Sequence, residues 1–321
     1  MKKVFVLLLV IIFNVNAYCQ IGVTSAVAPV KKTEVVVFDS TKNFLGYNNV
    51  MTYIDQTLFV LPEVKILQKY GYDHFYKIRE FDLEPFYGSR YKHYGQDAAA
   101  SISNTRYEDL AMTYWHVDSI VSARGYRYKQ IYLFYLSNVN EPESKCAFEY
   151  DPEYEHTFKF IVLSHYNYLK EKYIGKQFIV NRKCLHKYDL STGDSIIVTD
   201  DTKTIWTAED FNVISNENGD QYLGMLLKQG NKRTFVNIDL LESQLGRGII
   251  EKKEWDKLVA TNGLDMVKTA FQGKIKVGMS RKLLILAWGE PESINKASYG
   301  DQYVYDSDYV YLKNGKVTGW N

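Results

Sequence analysis

The chain has 321 residues, and its 39 basic and 38 acidic side chains leave a formal net charge of +1. Without a clustered basic surface or a block of like charges, this balance excludes a nucleic-acid-binding protein. The 27 tyrosines and only 6 prolines favour a mainly β protein, because aromatic side chains suit a pleated, half-buried surface. The length predicts two or three domains.

The N-terminal segment is typical of an exported protein. Lys2 and Lys3 precede an unbroken apolar run over residues 4–13, and polar and small residues follow. We therefore expect a signal peptide over residues 1–19. The run is about half of the roughly 20 residues that span a bilayer. We expect no transmembrane segment in the mature chain, which would be periplasmic or associated with the outer membrane.

Cys19 offers a second interpretation of the same segment. A bacterial lipoprotein keeps a lipidated cysteine as its first residue, but Tyr18 stands where such signals have a small residue. Soluble export is therefore favoured over lipidation at Cys19. Residues 20–33 would follow as a flexible leader.

Two stretches further along the chain resemble each other. They read "YIDQTLFVLPEVKILQKY" from Tyr53 and "YIGKQFIVNRKCLHKYDL" from Tyr173. Each begins with Tyr-Ile and enters an apolar strand, and each is followed later by an entry strand and a hairpin. We expect two small, strongly bent β modules, with an SH3-like sheet as the candidate, at residues 34–165 (with an insertion) and 166–245. A chance likeness is the alternative.

The richest aromatic stretch, residues 79–97, lies inside the first module. Exposed rings can stack on sugars or anchor a protein partner, so this loop is the candidate binding site. A packed strand pair or a disordered insertion is the alternative. Its proposed binding residues are Phe86, Tyr87, Arg90, Tyr91 and Tyr94.

The sequence carries no recognisable catalytic or metal-binding motif. No two of the six histidines have metal-ligand spacing, and neither a Gly-x-Ser-x-Gly elbow nor a glycine-rich phosphate loop is present. The acidic stretch "EYDPEYEH" over residues 149–156 suits a solvated turn better than a cation site or an acid–base pair. Glu108-Asp109 and Glu209-Asp210 fall at equivalent places in the proposed repeat, which suggests a repeated turn. We expect no enzyme activity, metal or cofactor.

Cys146 and Cys184 would be the two cysteines of an exported mature chain. They could pair as a disulfide in an oxidising periplasm. Each has apolar or aromatic neighbours in the sequence, so two separate buried thiols are the favoured interpretation.

The C-terminal part changes from β to α+β patterning. Two short helices are predicted over residues 251–273, and "VGMSRKLLILAWGEP" then predicts a turn, a capped helix and a stop. The residues that set these limits are Gly278, Met279, Ser280, Gly289 and Pro291. Alternating tyrosines and the Asn314-Gly315 turn then predict a three-stranded meander. The domain would occupy residues 249–321.

Residues 274–320 resemble the SmpA/OmlA group, the BamE-like envelope lipoproteins, and more loosely the β-lactamase inhibitor protein fold. The matching stretches are "IKVGMS", "LAWGEP", "DQYVY" and "YVYLKNGKVTGW". The resemblance implies a small α+β binding module of outer-membrane assembly, or an inhibitor, rather than an enzyme. It covers about the last sixth of the chain.

These observations together predict an exported, non-catalytic interaction or adaptor protein of the bacterial cell envelope, with an envelope protein as its partner. The alternative is a glycan-binding protein that uses the aromatic loop at residues 79–97. A third and weaker hypothesis is an envelope hydrolase that uses Glu or Asp pairs.

Overall fold

The structure is a computed structural model that describes residues 36–76, 78, 105–124, 129–215, 221–239, 241, 247–298 and 300–321. The predicted signal peptide, Cys19, the leader and the aromatic loop lie outside these residues. The protein is 39% strand and 23% helical, which confirms a mainly β chain with α+β character. None of the described helices has the length and apolar character needed to cross a bilayer.

The first sheet has six antiparallel strands. They are β1 (Thr57–Val60), β2 (Phe75–Tyr76), β3 (Tyr114–Arg124), β4 (Gln130–Asn138), β5 (Lys145–Tyr150) and β6 (Phe160–Val162). Their spatial order is β2-β5-β4-β3-β1-β6, so β1 pairs with both β3 and the last strand. A short helix, α1 (Tyr107–Leu110), precedes β3, and 3₁₀-turns occupy Val50–Tyr53, Gln68–Tyr70 and Glu155–Thr157.

A second sheet follows α2 (Leu163–Tyr173) and has five antiparallel strands. They are β7 (Gln177–Val180), β8 (Ile205–Ser215), β9 (Gln221–Gln229), β10 (Lys232–Asn237) and β11 (Ile249–Glu251). The order is β10-β9-β8-β7-β11. β7 pairs with β8 and with the last strand, β11, just as β1 pairs with β3 and β6 in the first sheet.

Five strands of the first sheet recur in the second sheet in the same order, and β2 is the additional strand. β3 and β8 both have 11 residues, β4 and β9 both have 9, and β5 and β10 both have 6. Each long strand carries a bulge at the same place, between Val117 and Ser119 in β3 and between Ala208 and Asp210 in β8. An extra residue at the same point bends both sheets in the same way.

The turn that enters each sheet is also repeated. Asp55 (φ +65°) and Gly175 (φ +79°) both have left-handed backbone, which glycine adopts freely and aspartate tolerates. The Asp55 amide donates to the Val117 carbonyl at 3.0 Å, and the Gly175 amide donates to the Ala208 carbonyl at 2.9 Å. The first strand of each sheet is thereby fixed against the bulge.

The proposed equivalence of the two acidic pairs was wrong. Glu108 and Asp109 lie in α1, whereas Glu209 and Asp210 lie at the bulge of β8. The residues that occupy the bulge of β3 are Asp118 and Ser119. The error arose because the sequence around α1 has no counterpart before β8, so the acidic dipeptides alone misaligned the two copies.

The C-terminal part packs helices on a third sheet. Its elements are α3 (Lys252–Asn262), α4 (Leu264–Phe271), α5 (Arg281–Trp288), β12 (Ser293–Ala297), β13 (Gly300–Tyr305), β14 (Asp308–Lys313) and β15 (Lys316–Trp320). The meander has four strands in sequential order, not the three predicted. β12 was missed because only Ile294 in it is half-buried, so this edge strand lacks the alternation that marks a strand.

The motif residues of this part hold its turns. Gly278 (φ +87°) and Gly289 (φ +88°) are left-handed on either side of α5, as helix-flanking glycines commonly are. Asn314 (φ +53°) and Gly315 (φ +71°) form the tight turn between β14 and β15. Met279 is fully buried, and Pro291 is half-buried beyond the helix.

Ser280 differs from its predicted role. It occupies the N-cap position of α5, but its hydroxyl makes no cap hydrogen bond. The Ser280 hydroxyl instead donates to Asn262 Oδ1 at 3.1 Å, while the Asn262 amide nitrogen donates to the Leu258 carbonyl. Ser280 therefore ties α5 to the end of α3 rather than capping its own helix.

Candidate functional site

The predicted binding residues Phe86, Tyr87, Arg90, Tyr91 and Tyr94 lie outside the described residues. Within the described residues, no group of three or more His, Cys, Asp or Glu side chains is arranged to hold a metal ion. The candidate site is formed by other charged and aromatic groups of the described residues.

The two cysteines are not joined in a disulfide. Cys146 is a free, buried thiol in β5, within the core of the first sheet. Cys184 is a free, half-buried thiol that packs against the core of the second sheet. Burial raises the pKa of both thiols. Their places in two separate cores explain why the alternative of a disulfide is not realised here.

A dense group of titratable and aromatic side chains lies where β5 ends. The chain leaves β5 at Tyr150 and turns through residues 151–154 into the 3₁₀-turn at residues 155–157. This is the "EYDPEYEH" stretch of the sequence. We define the β5-end cluster as Tyr47, His74, Tyr76, Lys129, Glu149, Asp151, Glu153, Tyr154 and His156.

The exposed half of the cluster is organised around Lys129. Its Nζ lies 3.0 Å from Asp151 Oδ2 and 2.6 Å from Glu153 Oε2, and 4.0 Å from the centroid of the Tyr154 ring. The Tyr47 hydroxyl donates to Glu153 Oε1 at 2.9 Å. One ammonium group thus orders two carboxylates and an aromatic ring through charge-assisted hydrogen bonds and a cation–π contact.

The pKa shifts agree with this network. Burial acts to lower the pKa of Lys129, but hydrogen bonds to Glu153 and Asp151 outweigh it and raise that pKa. The hydrogen bond from Lys129 is the main cause that lowers the pKa of Glu153. The ammonium and the Glu153 carboxylate are therefore both charged across the neutral range.

The inward half of the cluster is centred on Glu149. Tyr76 donates its hydroxyl to Glu149 Oε2 at 3.4 Å, and His74 Nδ1 lies 3.8 Å from Glu149 Oε1. Burial, with smaller contributions from the charges of Asp151 and Asp73, raises the pKa of Glu149 to about 7. Burial also lowers the pKa of His74. Since both shifts favour the neutral forms, the His74–Glu149 contact is not an ion pair at neutral pH.

Two tyrosine rings of the cluster face solvent. Tyr47 and Tyr154 are each 49% exposed, and the ring of His156 lies edge-on to that of Tyr154 with centroids 5.6 Å apart. Exposed rings beside ordered carboxylates can stack on and hydrogen-bond to a ligand. Glu149, with its pKa near neutrality, would vary the negative charge beneath this surface.

The second sheet repeats the cluster only in part among the described residues. Aligned at the bulges, the registers of the paired strands place Asn237 where Glu149 stands and Asp239 where Asp151 stands. Asn237 carries an amide that does not ionise, and its Oδ1 accepts from the Asp239 amide at 2.9 Å. The titrating carboxylate of Glu149 is therefore a feature of the first copy.

Sequence reasoning located only one part of the cluster. The sequence predicts a solvated turn over residues 149–156. Tyr47, His74 and Lys129 come from three distant parts of the chain, and nothing in their local sequence distinguishes them. The repeat of the β-strands could have indicated that they meet at the end of β5.

Compared with known protein families, curated proteins and solved structures, the chain matches none.

Proposed function

We propose that the protein is an exported, non-catalytic interaction protein of the bacterial cell envelope, with two SH3-like modules followed by a BamE-like tail. The observation that carries this proposal is the β5-end cluster, in which Lys129 orders Asp151, Glu153 and Tyr154 beside exposed rings. The partner would be an envelope protein that binds this surface. Export rests on the pattern of residues 1–19.

The order of the strands supports the SH3-like assignment. In the first module β1 pairs with β3 and with the last strand, β6. In the second module β7 pairs in the same way with β8 and with the last strand, β11. In the first module a 3₁₀-turn, Glu155–Thr157, separates β5 from the last strand, β6, and β2 adds an edge strand beside β5. These are features of a small, strongly bent barrel. SH3 domains bind extended ligands in grooves lined by aromatic side chains.

The pairing of charges in the exposed half of the cluster supports binding rather than catalysis. Asp151 and Glu153 already accept from Lys129, so they are ordered as hydrogen-bond acceptors and less suited to transfer protons. Glu149 has a pKa near 7, which is a property that acid–base catalysts share. In this interpretation it sets the charge of the binding surface.

The tail supports an envelope role in a different way. Two helices, α4 and α5, pack together and α5 contacts the antiparallel meander, which is an arrangement compatible with the BamE-like resemblance. In that resemblance the tail would be the part that contacts outer-membrane assembly proteins. Fold alone does not determine function, so the tail and the cluster need separate tests.

Site-specific photocrosslinking in intact bacterial cells tests the proposal. A photoreactive phenylalanine analogue would replace Tyr154 in the cluster. The matched control would replace Tyr188, a 46% exposed tyrosine of the second module. We expect a defined envelope protein to be captured through position 154 and not through position 188. Equal capture at both positions, or turnover of a substrate that Glu149→Gln abolishes, would contradict the proposal.

A glycan is the second candidate ligand, because Tyr47 and Tyr154 are exposed beside hydrogen-bond acceptors. Aromatic faces and carboxylates are common partners of sugar rings. The aromatic loop at residues 79–97, which the sequence predicts as a binding loop, follows β2 and precedes α1 in the sequence. A glycan array that shows binding by the native chain and none by Tyr154→Ala would favour this candidate over a protein partner.

A further inference from the structure

The meander formed by β12–β15 has one buried face and one exposed face. Tyr303, Val310, Leu312 and Val317 are buried in the core that also contains α5. Successive side chains of a strand point to opposite faces of a sheet, so the residues that alternate with these point away from that core. We define the outer face of the meander as Ser293, Asn295, Gln302, Val304, Tyr309, Tyr311 and Gly319.

The residues of the outer face form two rows that cross the sheet from strand to strand. The strand register aligns Asn295, Gln302, Tyr311 and Gly319 in a central row, and Ser293, Val304 and Tyr309 in the row beside it. None of these side chains is charged, although charged residues make up 24% of the chain. The centres of protein contact surfaces are likewise depleted of charged residues and enriched in tyrosine. The composition of the outer face therefore indicates a binding surface.

Hydrogen bonds between side chains join the central row. Asn295 Nδ2 donates to Gln302 Oε1 at 3.0 Å, and Gln302 Nε2 donates to the Tyr311 hydroxyl at 3.2 Å. Each carboxamide has two donor hydrogens and an acceptor oxygen, and the phenol both donates and accepts, so every member of the row keeps a group that a ligand can bond. The row is ordered before any ligand arrives, which lowers the entropy cost of binding.

The central row ends at an open position, Gly319. Its backbone is not left-handed, so the local conformation does not require glycine. A Cβ at this position would meet no atom within 4 Å, which shows that the space beside Tyr311 on β15 is unfilled. Tyr311 is 37% exposed, and a ligand can therefore reach its ring from the side of Gly319.

We propose that the outer face of the meander binds a neutral glycan chain that runs across the strands. Sugar hydroxyls donate and accept hydrogen bonds, as the carboxamides and the phenol of the central row do. A protein partner would require a more apolar centre, whereas Val304 is the one aliphatic side chain of the outer face beside its tyrosine rings.

The dimensions of the central row suit such a ligand. Neighbouring strands lie about 4.8 Å apart, so the row from Asn295 through Gln302 to Tyr311 spans about 10 Å, roughly the length of a disaccharide. The Tyr311 ring would stack on a sugar ring that occupies the space above Gly319. This face is separate from the β5-end cluster, and the proposal does not depend on the function of that cluster.

The test is a calorimetric titration of the full chain with three neutral probes, maltohexaose, cellohexaose and chitohexaose. Hexagalacturonate is the anionic comparison, because Lys313 and Lys316 pair at the border of the outer face. Gly319→Val fills the open position without a clash, and Tyr311→Phe removes one hydroxyl and keeps the ring. Lys296→Ala is the matched control, since Lys296 is exposed next to Asn295 but alternates to the other side of β12.

We expect saturable binding of at least one neutral hexasaccharide, weakened about three- to tenfold by Tyr311→Phe, as the loss of one hydrogen bond implies. Gly319→Val should abolish it without lowering the melting temperature, and Lys296→Ala should leave it unchanged. The absence of saturable binding, tighter binding of hexagalacturonate, or native affinity in Gly319→Val would overturn the proposal. So would binding that Tyr154→Ala abolishes and Gly319→Val does not, because the glycan would then occupy the β5-end cluster.

Discussion

Trp115 and Trp206 occupy the same position in the two repeated sheets. Trp115 lies opposite Leu58 of β1, and Trp206 lies opposite Phe178 of β7. Both side chains are fully buried. They differ in one contact: the Trp115 indole donates to Thr113 Oγ1 at 2.7 Å, whereas the Trp206 indole nitrogen has no hydrogen-bond partner among the described residues.

This difference predicts unequal costs for the same substitution. Trp→Phe removes similar apolar volume at both positions, but at Trp115 it also removes a hydrogen bond. We expect Trp115→Phe to lower the free energy of unfolding by about 1–2 kcal/mol more than Trp206→Phe does. Urea denaturation of the two variants measures this difference. A larger loss for Trp206→Phe would show that its indole nitrogen has a partner.

Gly71 predicts a severe effect from a single methyl group. Its backbone has φ +68° and ψ −155°, a region that is essentially restricted to glycine. A Cβ there would lie 2.0 Å from the carbonyl oxygen of Thr105. Gly193 (φ +77°) is the control, since a Cβ there would meet no atom within 4 Å.

We expect Gly193→Ala to cost about 1–2 kcal/mol, which is the usual cost of left-handed backbone. Gly71→Ala should cost more than about 3 kcal/mol, since strain and a backbone clash combine. Thermal unfolding of both variants would show the order. Similar melting temperatures would mean that the chain near Thr105 relaxes around the methyl group.

The sequence predicted the start of each module better than its interior. Tyr53 and Tyr173 each precede the first strand, and both are buried, so the shared Tyr-Ile pattern reflects shared packing. The sequence alone does not align Trp115 with Trp206, or the two bulges with each other. The reason is that the connection from β1 to β3 is much longer than the connection from β7 to β8. Local patterns cannot supply a register across connections of different length.

The candidate site was still harder to predict. Lys129, Asp151 and Tyr47 meet only because the long strands return to the same end of the sheet. Their hydrogen bonds are tertiary contacts, and periodicity carries no information about them. The sequence did indicate the Asn314-Gly315 turn, because two successive left-handed residues leave a strong local signature.

Glu149 predicts a measurable dependence of stability on pH. Its pKa in the folded protein is about 7, above its ordinary value of 4.5. Between these values the folded state keeps a proton that the unfolded state loses. The stability that the Glu149 carboxyl contributes is therefore fully present below pH 4.5. This contribution declines as the pH rises from 4.5 through 7, by at most about 3 kcal/mol in total.

Glu149→Gln should remove this dependence, because the amide is neutral at every pH. We expect the variant to gain stability over the native chain at pH 8 and to differ little from it at pH 5. Urea midpoints at the two pH values measure the effect. A variant that is destabilised equally at both values would indicate that the Glu149 carboxylate has a stabilising partner.

Asn43 predicts how strongly the segment at residues 41–46 stabilises the first module, because its Nδ2 donates to the Phe160 carbonyl at 2.7 Å and its Oδ1 accepts from the Val162 amide at 2.8 Å. Asn43→Ala leaves the Phe160 carbonyl and the Val162 amide without partners, so we expect the free energy of unfolding to fall by about 1–3 kcal/mol. Hydrogen exchange at the Val162 amide should accelerate. Asn43→Asp keeps the acceptor for that amide but places a negative charge beside the Phe160 carbonyl, so its exchange should stay slow while stability falls. Asn48→Ala, at an exposed position after this segment, is the control. Unchanged exchange in Asn43→Ala would mean that water replaces the side chain at little cost.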